Sequence, residues 1–443
     1  MNLIIKGAAW LSLYLILILF PILVAAVVPG TASGRAFTLE FGIACGFAGL
    51  AIMVFEFALI SRIKAVSGAF GQDALLQFHR GMGLIALALI LLHSVLMFAN
   101  GYPVAYINPF DAYTPWFMRW GVVSVAVVLL LCGISLNRKR LHIAYEWWHL
   151  SHMLFSLVVL FAGIAHIFLV GNFTATRPMH ILWTLYAIIF LGLVFTFKIV
   201  KPLLMFKHPW EVVANIPHPG ESHTIVLRPV DHAGLTFQPG QFAWIITGSS
   251  PFHVDQHPIS FSSCAHDSRG QQLAFTIKSL GNWSGTVVPA LTPGRRLWLD
   301  GPYGVFSPDR EQGPGYVLIG GGVGVTPLHS MCITLAERED LRPVLLFYCN
   351  RDADSLTFRK HFDELHSRMN IQVIYTLEQP PHGWTGETGF ITADILRRHL
   401  PRQYKRFQYF VCGPTPMMDA VEDILPTLGV PSELIHTERF DMV

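Results

Sequence analysis

The sequence predicts a multidomain protein: a six-helix transmembrane bundle, then an antiparallel β-barrel, then a doubly wound α/β domain. Composition is the first reason, because 52% of the 443 residues are hydrophobic and only 14% are charged, whereas a typical soluble chain has about 25% charged residues. Charge placement is the second, since only sixteen Lys, Arg, Asp and Glu residues lie within the first 200 positions. The third is a change along the second half from short β-rich segments to alternating strands and helices. We expect domains over residues 1–206, 207–310 and 311–443.

Six apolar runs form the predicted membrane half, and each is close to the ~20 residues that a helix needs to cross the hydrocarbon of a bilayer. Small residues at Thr31–Gly34 follow the first run, as they would at a signal-peptide cleavage site. The apolar core of this run is longer than the about 7–15 residues of such signals, so we expect a retained helix. The runs are Gly7–Val28, Phe37–Ile60, Leu75–Ala99, Trp120–Leu136, Leu150–Val170 and Ile181–Leu204.

Basic residues predict the orientation of these spans, because loops on the cytoplasmic side of a membrane are enriched in Lys and Arg. The first, third and fifth loops contribute only Arg35, Arg119 and Arg177. We therefore expect a multi-pass protein of the plasma (inner) membrane whose N-terminus and soluble half face the cytoplasm. The residues assigned to the cytoplasmic side are Arg62, Lys64, Arg80, Arg138, Lys139, Arg140, Lys198, Lys201 and Lys207.

Net charge and cysteine placement argue against several classes of function. A formal net charge of +2 gives no electrostatic reason to expect a nucleic-acid partner. The six cysteines form no CxxC pair, which argues against a disulfide framework or a zinc site and favours a reduced, cytosolic setting for the soluble half. The cysteines are Cys45, Cys132, Cys264, Cys332, Cys349 and Cys412.

Four histidines fall inside two predicted spans, where ionisable side chains are rare and usually functional. His79 and His93 lie on the third span, His152 and His166 lie on the fifth, and both spacings are fourteen residues. Fourteen helical steps return to within about 40° of the starting face and climb about 21 Å. Because the two spans run in the same direction, His79 matches His152 in depth and His93 matches His166. Two such pairs are what two bis-histidine b-type haems require.

Other readings of the polar residues in this half remain open. The four histidines also fit a buried core in which each imidazole bonds to a neighbouring polar group. His149 competes with His152, but it lies about 100° away from the face of His166, and we interpret it as interfacial. Glu56, near the cytoplasmic end of the second span, either pairs with Arg80 or reaches the interface.

From Trp210 onward, closely spaced β-rich segments broken by Gly and Pro predict a small antiparallel barrel. After Gly313 the alternation of strands and helices predicts a doubly wound nucleotide-binding layout. The barrel segments are Glu211–Ile216, Thr224–Arg228, Phe242–Ile246, Ala274–Lys278 and Arg296–Leu299, and the later strands are Tyr316–Ile319, Val344–Cys349, Gln372–Thr376 and Tyr409–Cys412.

The glycine-rich run Gly320–Pro327 separates the first of these later strands from a helix that we expect to end near Glu339. Its glycines let backbone N–H groups approach a pyrophosphate at the N-terminus of the helix, where the helix dipole favours anions. The run departs from the strict GxGxxG fingerprint, and a plain tight turn between strand and helix is the alternative.

Several motifs, taken in order along the chain, resemble the superfamily of NADPH oxidases and ferric reductases. The resemblance spans nearly the whole chain and implies a haem-bearing six-helix domain followed by a flavin and nicotinamide module of ferredoxin-reductase type. Through Tyr145-Glu146…His152 it favours His152 over His149. The other motifs are Pro239-Gly240-Gln241-Phe242, His257-Pro258-Ile259-Ser260, Lys278…Gly281-Asn282-Trp283-Ser284, Gly301-Pro302-Tyr303-Gly304, Gly320–Pro327, Cys412-Gly413-Pro414…Met417 and Glu438-Arg439-Phe440.

The resemblance implies roles for residues of the barrel. The segment His257–Ser260 would contact FAD, with Ser260 near the reactive ring, and Lys278 with the segment Gly281–Ser284 would hold the FAD pyrophosphate. Members of the superfamily often have Arg where Lys278 stands. Lys keeps the positive charge but lacks the bidentate fork of Arg, so this contact with the pyrophosphate would be weaker.

In the last domain the resemblance implies a nicotinamide site. Cys412 would sit near the nicotinamide carbon that gives up hydride, and Phe440 would cover the flavin and move aside; the alternatives are a small buried residue and a ring that seals the core. Arg351 follows the second strand of this domain and is a candidate to bind the 2′-phosphate of NADPH, with Arg359 as its rival. We therefore expect NADPH over NADH. The other predicted nucleotide-binding residues are Gly320, Gly321, Gly322, Gly324, Thr326, Pro327, Gly413, Pro414 and Met417.

Together these observations predict a transmembrane NAD(P)H oxidase that passes electrons through FAD and two haems to dioxygen outside the cytoplasm, giving superoxide. A ferric or cupric chelate is the alternative acceptor. Oxidase members tend to have a second His four residues beyond the outer ligand, where this chain has Met97, whereas the loop Asn100–Trp116 has no basic residue for an anionic chelate. Alternatives from other classes are an electron-donating subunit for a membrane or periplasmic partner, and a transporter with an attached reductase.

Overall fold

The chain divides into two compact units, Met1–Lys201 and Pro202–Val443. The computed structural model describes residues 3–27, 36–171, 174–265 and 272–440. The predicted segment Thr31–Gly34 and Arg35 therefore lie outside the described residues. Both sheets described below belong to the second unit, and the predicted division into three domains stays a prediction.

Within the described residues, six helices are long and apolar enough to cross a membrane, in agreement with the predicted number. The last of them continues from α7 through a π-helical turn at Thr196–Val200 into α8. A short helix, α3, joins the second span to the third and was not predicted. The helices of this unit are α1 (Leu3–Val27), α2 (Phe37–Ile60), α3 (Lys64–Phe70), α4 (Gln72–Ala99), α5 (Trp116–Asn137), α6 (Tyr145–Val170), α7 (Arg177–Phe195) and α8 (Lys201–Met205).

Five of the six spans begin three to five residues earlier than predicted, because most of their first turns carry polar residues that a hydropathy pattern does not count. α4 begins at Gln72, α5 begins at Trp116 directly after Pro115, and α6 begins at Tyr145. The motif Tyr145-Glu146…His152 is therefore part of α6 rather than of the preceding loop.

α2 is the central helix of the membrane unit. Half of the residues in its apolar 18-residue stretch are buried, whereas the buried share of the same stretch is at most 28% in every other span described. Small residues allow this close packing: a Cβ on Gly49 would meet Ile90 of α4 at 2.8 Å, and a Cβ on Gly163 of α6 would meet Leu50 at 2.8 Å. Small residues at helix contacts let helices approach closely within a bilayer. The other spans leave apolar side chains on the outside, which suits contact with lipid.

The first sheet of the second unit is antiparallel, as predicted, and its strand order is β4-β3-β6-β1-β2-β5. Among the residues described, this sheet is not closed into the predicted barrel. The two edge strands meet only at a single bridge between Phe261, just after β4, and Phe275 in β5. The strands are β1 (Trp210–His218), β2 (Ser222–Pro229), β3 (Phe242–Ile246), β4 (His257–Ser260), β5 (Leu273–Lys278) and β6 (Arg296–Tyr303).

The second sheet is fully parallel, with strand order β10-β9-β8-β7-β11-β12. Its central strands β7 and β8 are almost continuously buried, because helices cover both faces of such sheets. The strands are β7 (Tyr316–Gly321), β8 (Val344–Asn350), β9 (Ile371–Leu377), β10 (Glu387–Thr388), β11 (Gln408–Cys412) and β12 (Ile435–Thr437), and the helices are α9 (Val325–Glu337), α10 (Arg359–Leu365), α11 (Ala393–His399) and α12 (Thr415–Thr427).

Hydrogen bonds from α9 attach the parallel sheet to the antiparallel one. His329 Nδ1 lies 3.0 Å from the carbonyl oxygen of Ser262, and the Ser330 hydroxyl donates to the carbonyl of Ser263 over 2.7 Å. The Thr334 hydroxyl accepts from the backbone N–H of Ala265 at 2.9 Å. His329 is almost fully buried, and burial lowers its pKa to about 3, so it joins the two sheets as a neutral imidazole.

We expect Gly240→Ala to destabilise the second unit. Gly240 has φ +94°, and an added Cβ would lie 2.1 Å from the carbonyl oxygen of Phe306. The strained backbone and the clash together should cost about 1–3 kcal/mol, measured as a lower thermal midpoint of tryptophan fluorescence. Gly294→Ala is the matched control, because Gly294 has φ +89° but open space around its Cβ. Equal losses in the two variants would show that the Phe306 contact is unimportant.

Candidate cofactor sites

The four histidines of the membrane unit form two opposed pairs. The ring centroids of His79 and His152 are 6.2 Å apart, and those of His93 and His166 are 6.3 Å apart. A histidine nitrogen coordinates a first-row metal at about 2 Å, so an iron between two imidazoles separates their centroids by about 6 Å. Both pairs therefore have the spacing of axial haem ligands.

Each of these imidazoles has its Nδ1 atom next to an acceptor on a neighbouring helix. α2 provides the acceptors for α4, since His79 Nδ1 contacts Glu56 Oε2 and His93 Nδ1 lies 2.9 Å from the carbonyl oxygen of Gly42. α5 provides the acceptors for α6: His152 Nδ1 lies 3.2 Å from Ser135 Oγ, and His166 Nδ1 lies 2.7 Å from the carbonyl oxygen of Phe117. Such contacts orient metal-ligating histidines and leave Nε2 for the metal.

Two glycines make room for the histidines nearer the ends of α4 and α6. A Cβ on Gly46 of α2 would lie 2.9 Å from His93 Nδ1, and a Cβ on Gly121 of α5 would lie 2.9 Å from His166 Nδ1. The helix pairs α2–α4 and α5–α6 therefore support their imidazoles in the same way, with a backbone carbonyl and a glycine.

The residues at these pairs fit porphyrin iron. The macrocycle supplies four ligands, so the protein needs to supply only two axial imidazoles. Among the described residues, no cluster of three or more His, Cys, Asp or Glu side chains could hold a bare metal ion. Two histidines at each depth, with Nδ1 occupied, match a bis-histidine haem site and not a protein-only metal site.

Two of the open questions about this half are answered by the geometry. His149 stacks on Tyr145, with centroids 5.7 Å apart and planes at 5°, whereas His152 faces His79. Glu56 is only 8% exposed, and its carboxylate contacts His79, a partner that neither alternative named. The physical reason is that α2 and α4 pack closely, which brings the imidazole N–H to the buried carboxylate.

The predicted FAD segment His257–Ser260 forms β4 and lies beside the other predicted FAD residues. The His257 ring stacks on Trp283, with centroids 3.8 Å apart, and Trp283 Nε1 donates to Thr247 Oγ1 over 2.9 Å. His257 Nε2 lies 2.6 Å from Asp255 Oδ1. The hydrogen bond from His257 holds the pKa of the Asp255 carboxyl below its usual range.

The predicted pyrophosphate segment forms a tight turn after β5, which Lys278 ends. The Ser284 hydroxyl accepts from the backbone N–H groups of Leu280 and Gly281 at 2.9 and 3.0 Å. The side chain of Ser284 thus shapes this turn from within. Asn282 precedes the short π-helical segment Trp283–Val287.

The predicted nicotinamide residues meet at the point where the strand order of the parallel sheet reverses. The chain passes from β7 outward through β8 and β9, then returns to β11 on the other side of β7. Ligands of doubly wound sheets bind in the crevice at this switch point, beyond the carboxyl ends of the strands. Gly320 is paired in register with Cys412 across it.

The two halves of this crevice pack backbone against backbone. A Cβ on Gly324 would lie 2.6 Å from the Cys412 carbonyl oxygen, and a Cβ on Gly321 would lie 2.6 Å from Met417 Sδ and 2.9 Å from Pro414. Any larger residue would separate the glycine run from the segment after β11, so the glycines are needed for this close packing.

Thr326 and Phe440 are two further predicted residues of the candidate site. Among the described residues, the buried hydroxyl of Thr326 has no hydrogen-bond partner, as expected of a group that binds a ligand. The Phe440 ring lies edge-on to Phe242, with centroids 5.7 Å apart, and Phe242 is the register partner of Ser260. The structure thus brings Phe440 beside the predicted flavin segment. Cys412 is 1% exposed.

Arg351 and Arg359 differ in their surroundings. Arg351 follows β8, its side chain is 69% exposed, and its Nε lies 3.1 Å from Asp352 Oδ2. The guanidinium of Arg359 lies over the rings of Tyr375 and Trp384, at 5.5 and 5.6 Å. Arg351 is therefore the more exposed of the two at the carboxyl edge of the sheet, and the preference for NADPH stays a prediction.

The sequence did not reveal which residues contact the histidines from neighbouring helices and loops. Gly42 and Glu56 are fourteen residues apart on α2, the same spacing as the histidines of α4, and this match could have identified α2 as the supporting helix. Ser135 and Asp255 have no comparable signal, because a lone Ser in a span and a lone Asp in a loop are ordinary. Their contacts depend on helix and loop packing.

Comparison with known proteins agrees with this arrangement. Residues 45–163 match the family described as ferric reductase like transmembrane component, and residues 318–423 match the oxidoreductase NAD-binding domain. The first match contains three of the four paired histidines and ends three residues before the fourth, His166. The second contains the glycine run and the segment from Cys412 to Met417.

Relatives are found for the soluble half. NADH-cytochrome b5 reductase 1 of Cryptococcus neoformans var. neoformans is 31% identical over 163 residues, which cover 34% of this chain and 55% of the relative. The reductase component of propane 2-monooxygenase of Rhodococcus jostii is 30% identical over 225 residues, or 48% of this chain and 58% of the relative. The chain thus spans little more than half the length of these curated relatives.

Among solved structures, flavohemoglobin from Malassezia yamatoensis, with bound FAD and heme, has a TM-score of 0.50 at 19% identity, covering 92% of this chain and all of that one. This likeness concerns the fold alone. The two family matches therefore place a segment similar to a ferric-reductase transmembrane component before a segment similar to an oxidoreductase NAD-binding domain in one chain. This combination is similar to the ferric reductase and NADPH oxidase superfamily, as the sequence motifs predicted.

We expect Asp255→Asn to lower the stability of the second unit in a pH-dependent way. Because the pKa of Asp255 is depressed in the folded state, its contribution is present above the unfolded value of about 4 and is lost as pH falls through the folded value. At pH 6.5 the variant should lose about 1–2 kcal/mol, seen as a lower thermal midpoint, and the difference should shrink below pH 4. Exposed Asp354→Asn is the control. A difference that is the same at both pH values would contradict this assignment.

Proposed function

We propose that this chain moves electrons from NAD(P)H on the cytoplasmic side of the plasma (inner) membrane, through FAD and two b-type haems, to an acceptor on the opposite side. Flavin and haem iron supply the electron-carrying chemistry when bound, while the protein binds and orients them. The observation that carries the proposal is the spacing of the opposed imidazoles, whose ring centroids are 6.2 Å apart in one pair and 6.3 Å apart in the other. Three of these four histidines lie in the part of the chain that is similar to a ferric-reductase component.

In this proposal His79 and His152 are the axial ligands nearer the cytoplasm, and His93 and His166 are those nearer the opposite surface. Each helix contributes one ligand at each depth, about 21 Å apart along its axis. The Nδ1 contacts of all four rings keep the imidazole planes in place and direct Nε2 toward the partner histidine.

The soluble residues bind the electron donor. The backbone of the Gly320–Gly324 turn and the N-terminus of α9 receive the dinucleotide pyrophosphate, and the Thr326 hydroxyl provides a further polar contact. Cys412 lies at the carboxyl end of β11, where the nicotinamide would rest. Phe440, which lies beside Phe242, the register partner of Ser260, would cover the flavin and would move aside for the nicotinamide.

The distribution of Lys and Arg supports a cytoplasmic position for the N-terminus and the reductase module. Arg138, Lys139 and Arg140 follow α5, and Lys198 and Lys201 lie at the end of the last span. Outward movement of electrons is then favoured by an inside-negative potential, by about 2.3 kcal/mol per 100 mV.

Dioxygen, reduced to superoxide, is the acceptor that the outer loop favours. Arg119, the cation that follows this loop, is already engaged: it donates to the carbonyl oxygens of Thr114 and Asp111 over 2.9 Å and lies 4.7 Å from the Trp116 ring. An anionic metal chelate would find no available charge on Arg119, whereas dioxygen needs none.

The acceptor is tested with the purified full chain, loaded with haem and FAD in detergent and supplied with NADPH or NADH. We expect oxygen-dependent turnover that yields superoxide, measured as reduction of cytochrome c that superoxide dismutase suppresses. Faster anaerobic reduction of ferric citrate would instead identify a ferric-chelate reductase. Negligible NAD(P)H consumption with both acceptors would identify a subunit that donates electrons to a protein partner.

We expect His93→Leu to remove one of two haems, because Leu offers no axial nitrogen to the outer iron. The haem-to-protein ratio, measured by the pyridine haemochrome method, should fall by half, and transfer to the external acceptor should fall at least tenfold. His180→Leu is the matched control, since His180 is an exposed histidine that lies edge-on to Phe168 and has no opposed histidine in the described structure. Full haem occupancy in His93→Leu would show that the ligand assignment is wrong.

A further inference from the structure

We propose that Glu56 is a positioning residue that lowers the reduction potential of the haem held by His79 and His152, relative to the haem held by His93 and His166. The two haems would then differ in the direction that favours electron flow from the cytoplasmic side outward. This inference rests on the proposed function, because it takes the histidine pairs to be haem ligands.

The contacts of Glu56 are those of a carboxylate placed behind a metal ligand. Glu56 lies near the end of α2 and is 8% exposed. Its Oε2 contacts His79 Nδ1, and its Oε1 accepts from the Tyr14 hydroxyl over 3.4 Å. A carboxylate that accepts from Nδ1–H makes the imidazole a stronger electron donor at Nε2, where the iron would bind.

The other three histidines have neutral acceptors at the same atom. His152 Nδ1 meets a serine hydroxyl at 3.2 Å, and His93 and His166 meet backbone carbonyl oxygens at 2.9 and 2.7 Å. These neutral acceptors hold the rings without any charge. A neutral acceptor would therefore be enough to orient His79. The carboxylate of Glu56 adds a negative charge to that function.

That charge acts strongly because it is buried. Inside a low-dielectric bundle, a negative charge close to the iron favours the ferric state, which carries one more positive charge than the ferrous state. Ionisable groups at this depth are costly and usually functional. Only one of the two pairs has such a charge within hydrogen-bond reach in the described structure, so the effect is confined to the haem of His79 and His152.

The test is a spectroelectrochemical titration of the purified full chain, with the two haem transitions followed in the Soret and α bands. Glu56→Gln keeps an acceptor for His79 but removes the charge. We expect the lower of the two midpoint potentials to rise and the higher one to stay unchanged, with the haem-to-protein ratio preserved. Glu40→Gln, which removes a carboxylate from the opposite end of α2, is the control and should move neither potential.

Tyr14→Phe provides an independent variant in case Glu56→Gln fails to fold. Loss of the Tyr14 donor leaves more negative charge directed at His79, so the same midpoint should fall slightly, opposite to its shift in Glu56→Gln. Two haems with unchanged potentials in these variants would overturn the role of Glu56 while leaving the proposed function intact. A wild-type chain without a Soret band would overturn both.

Discussion

An imidazole inside a lipid bilayer needs a partner at each of its two nitrogens, because an unpaired polar group in hydrocarbon costs several kcal/mol. In this protein the requirement is met at Nδ1 by acceptors on neighbouring helices. α2 supports both histidines of α4, and α5 supports both histidines of α6. The pairing of these helices, and the glycines that let them approach, follow from this requirement. The opposed rings are left 6.2 and 6.3 Å apart, centroid to centroid.

Close packing of two backbone segments is a second constraint, and it acts at the candidate nucleotide crevice. At the reversal of strand order, the turn after β7 touches the segment after β11 through Gly321, Gly324 and Gly413, where a Cβ would collide with backbone or with Met417. The same absence of side chains exposes backbone N–H groups at the start of α9. Packing between strands and the proposed binding of a dinucleotide pyrophosphate therefore depend on the same few residues.

Much of this could be predicted from sequence because the signals are periodic. The six spans, the antiparallel and parallel sheets, and the depth matching of His79 with His152 all follow from counting residues along regular elements. The errors lie where regular counting stops. The starts of α4 and α6 were missed because polar turns begin them, and β4 and the edge strands β10 and β12 are too short to show a pattern. The predicted barrel is an open antiparallel sheet in the described residues, with a single bridge at Phe261 between its edges.

By itself, the sequence determined which residues share a helix face, which strands run in parallel, and which histidines lie at one depth, since these depend on the geometry of single elements. Only the tertiary structure decided what stands behind each ligand: a carboxylate at His79, a hydroxyl at His152, and backbone carbonyls at His93 and His166. The physical reason is that these contacts join residues 17 to 51 positions apart, on helices whose rotation about their own axes is set by the packing of glycines and large side chains between them.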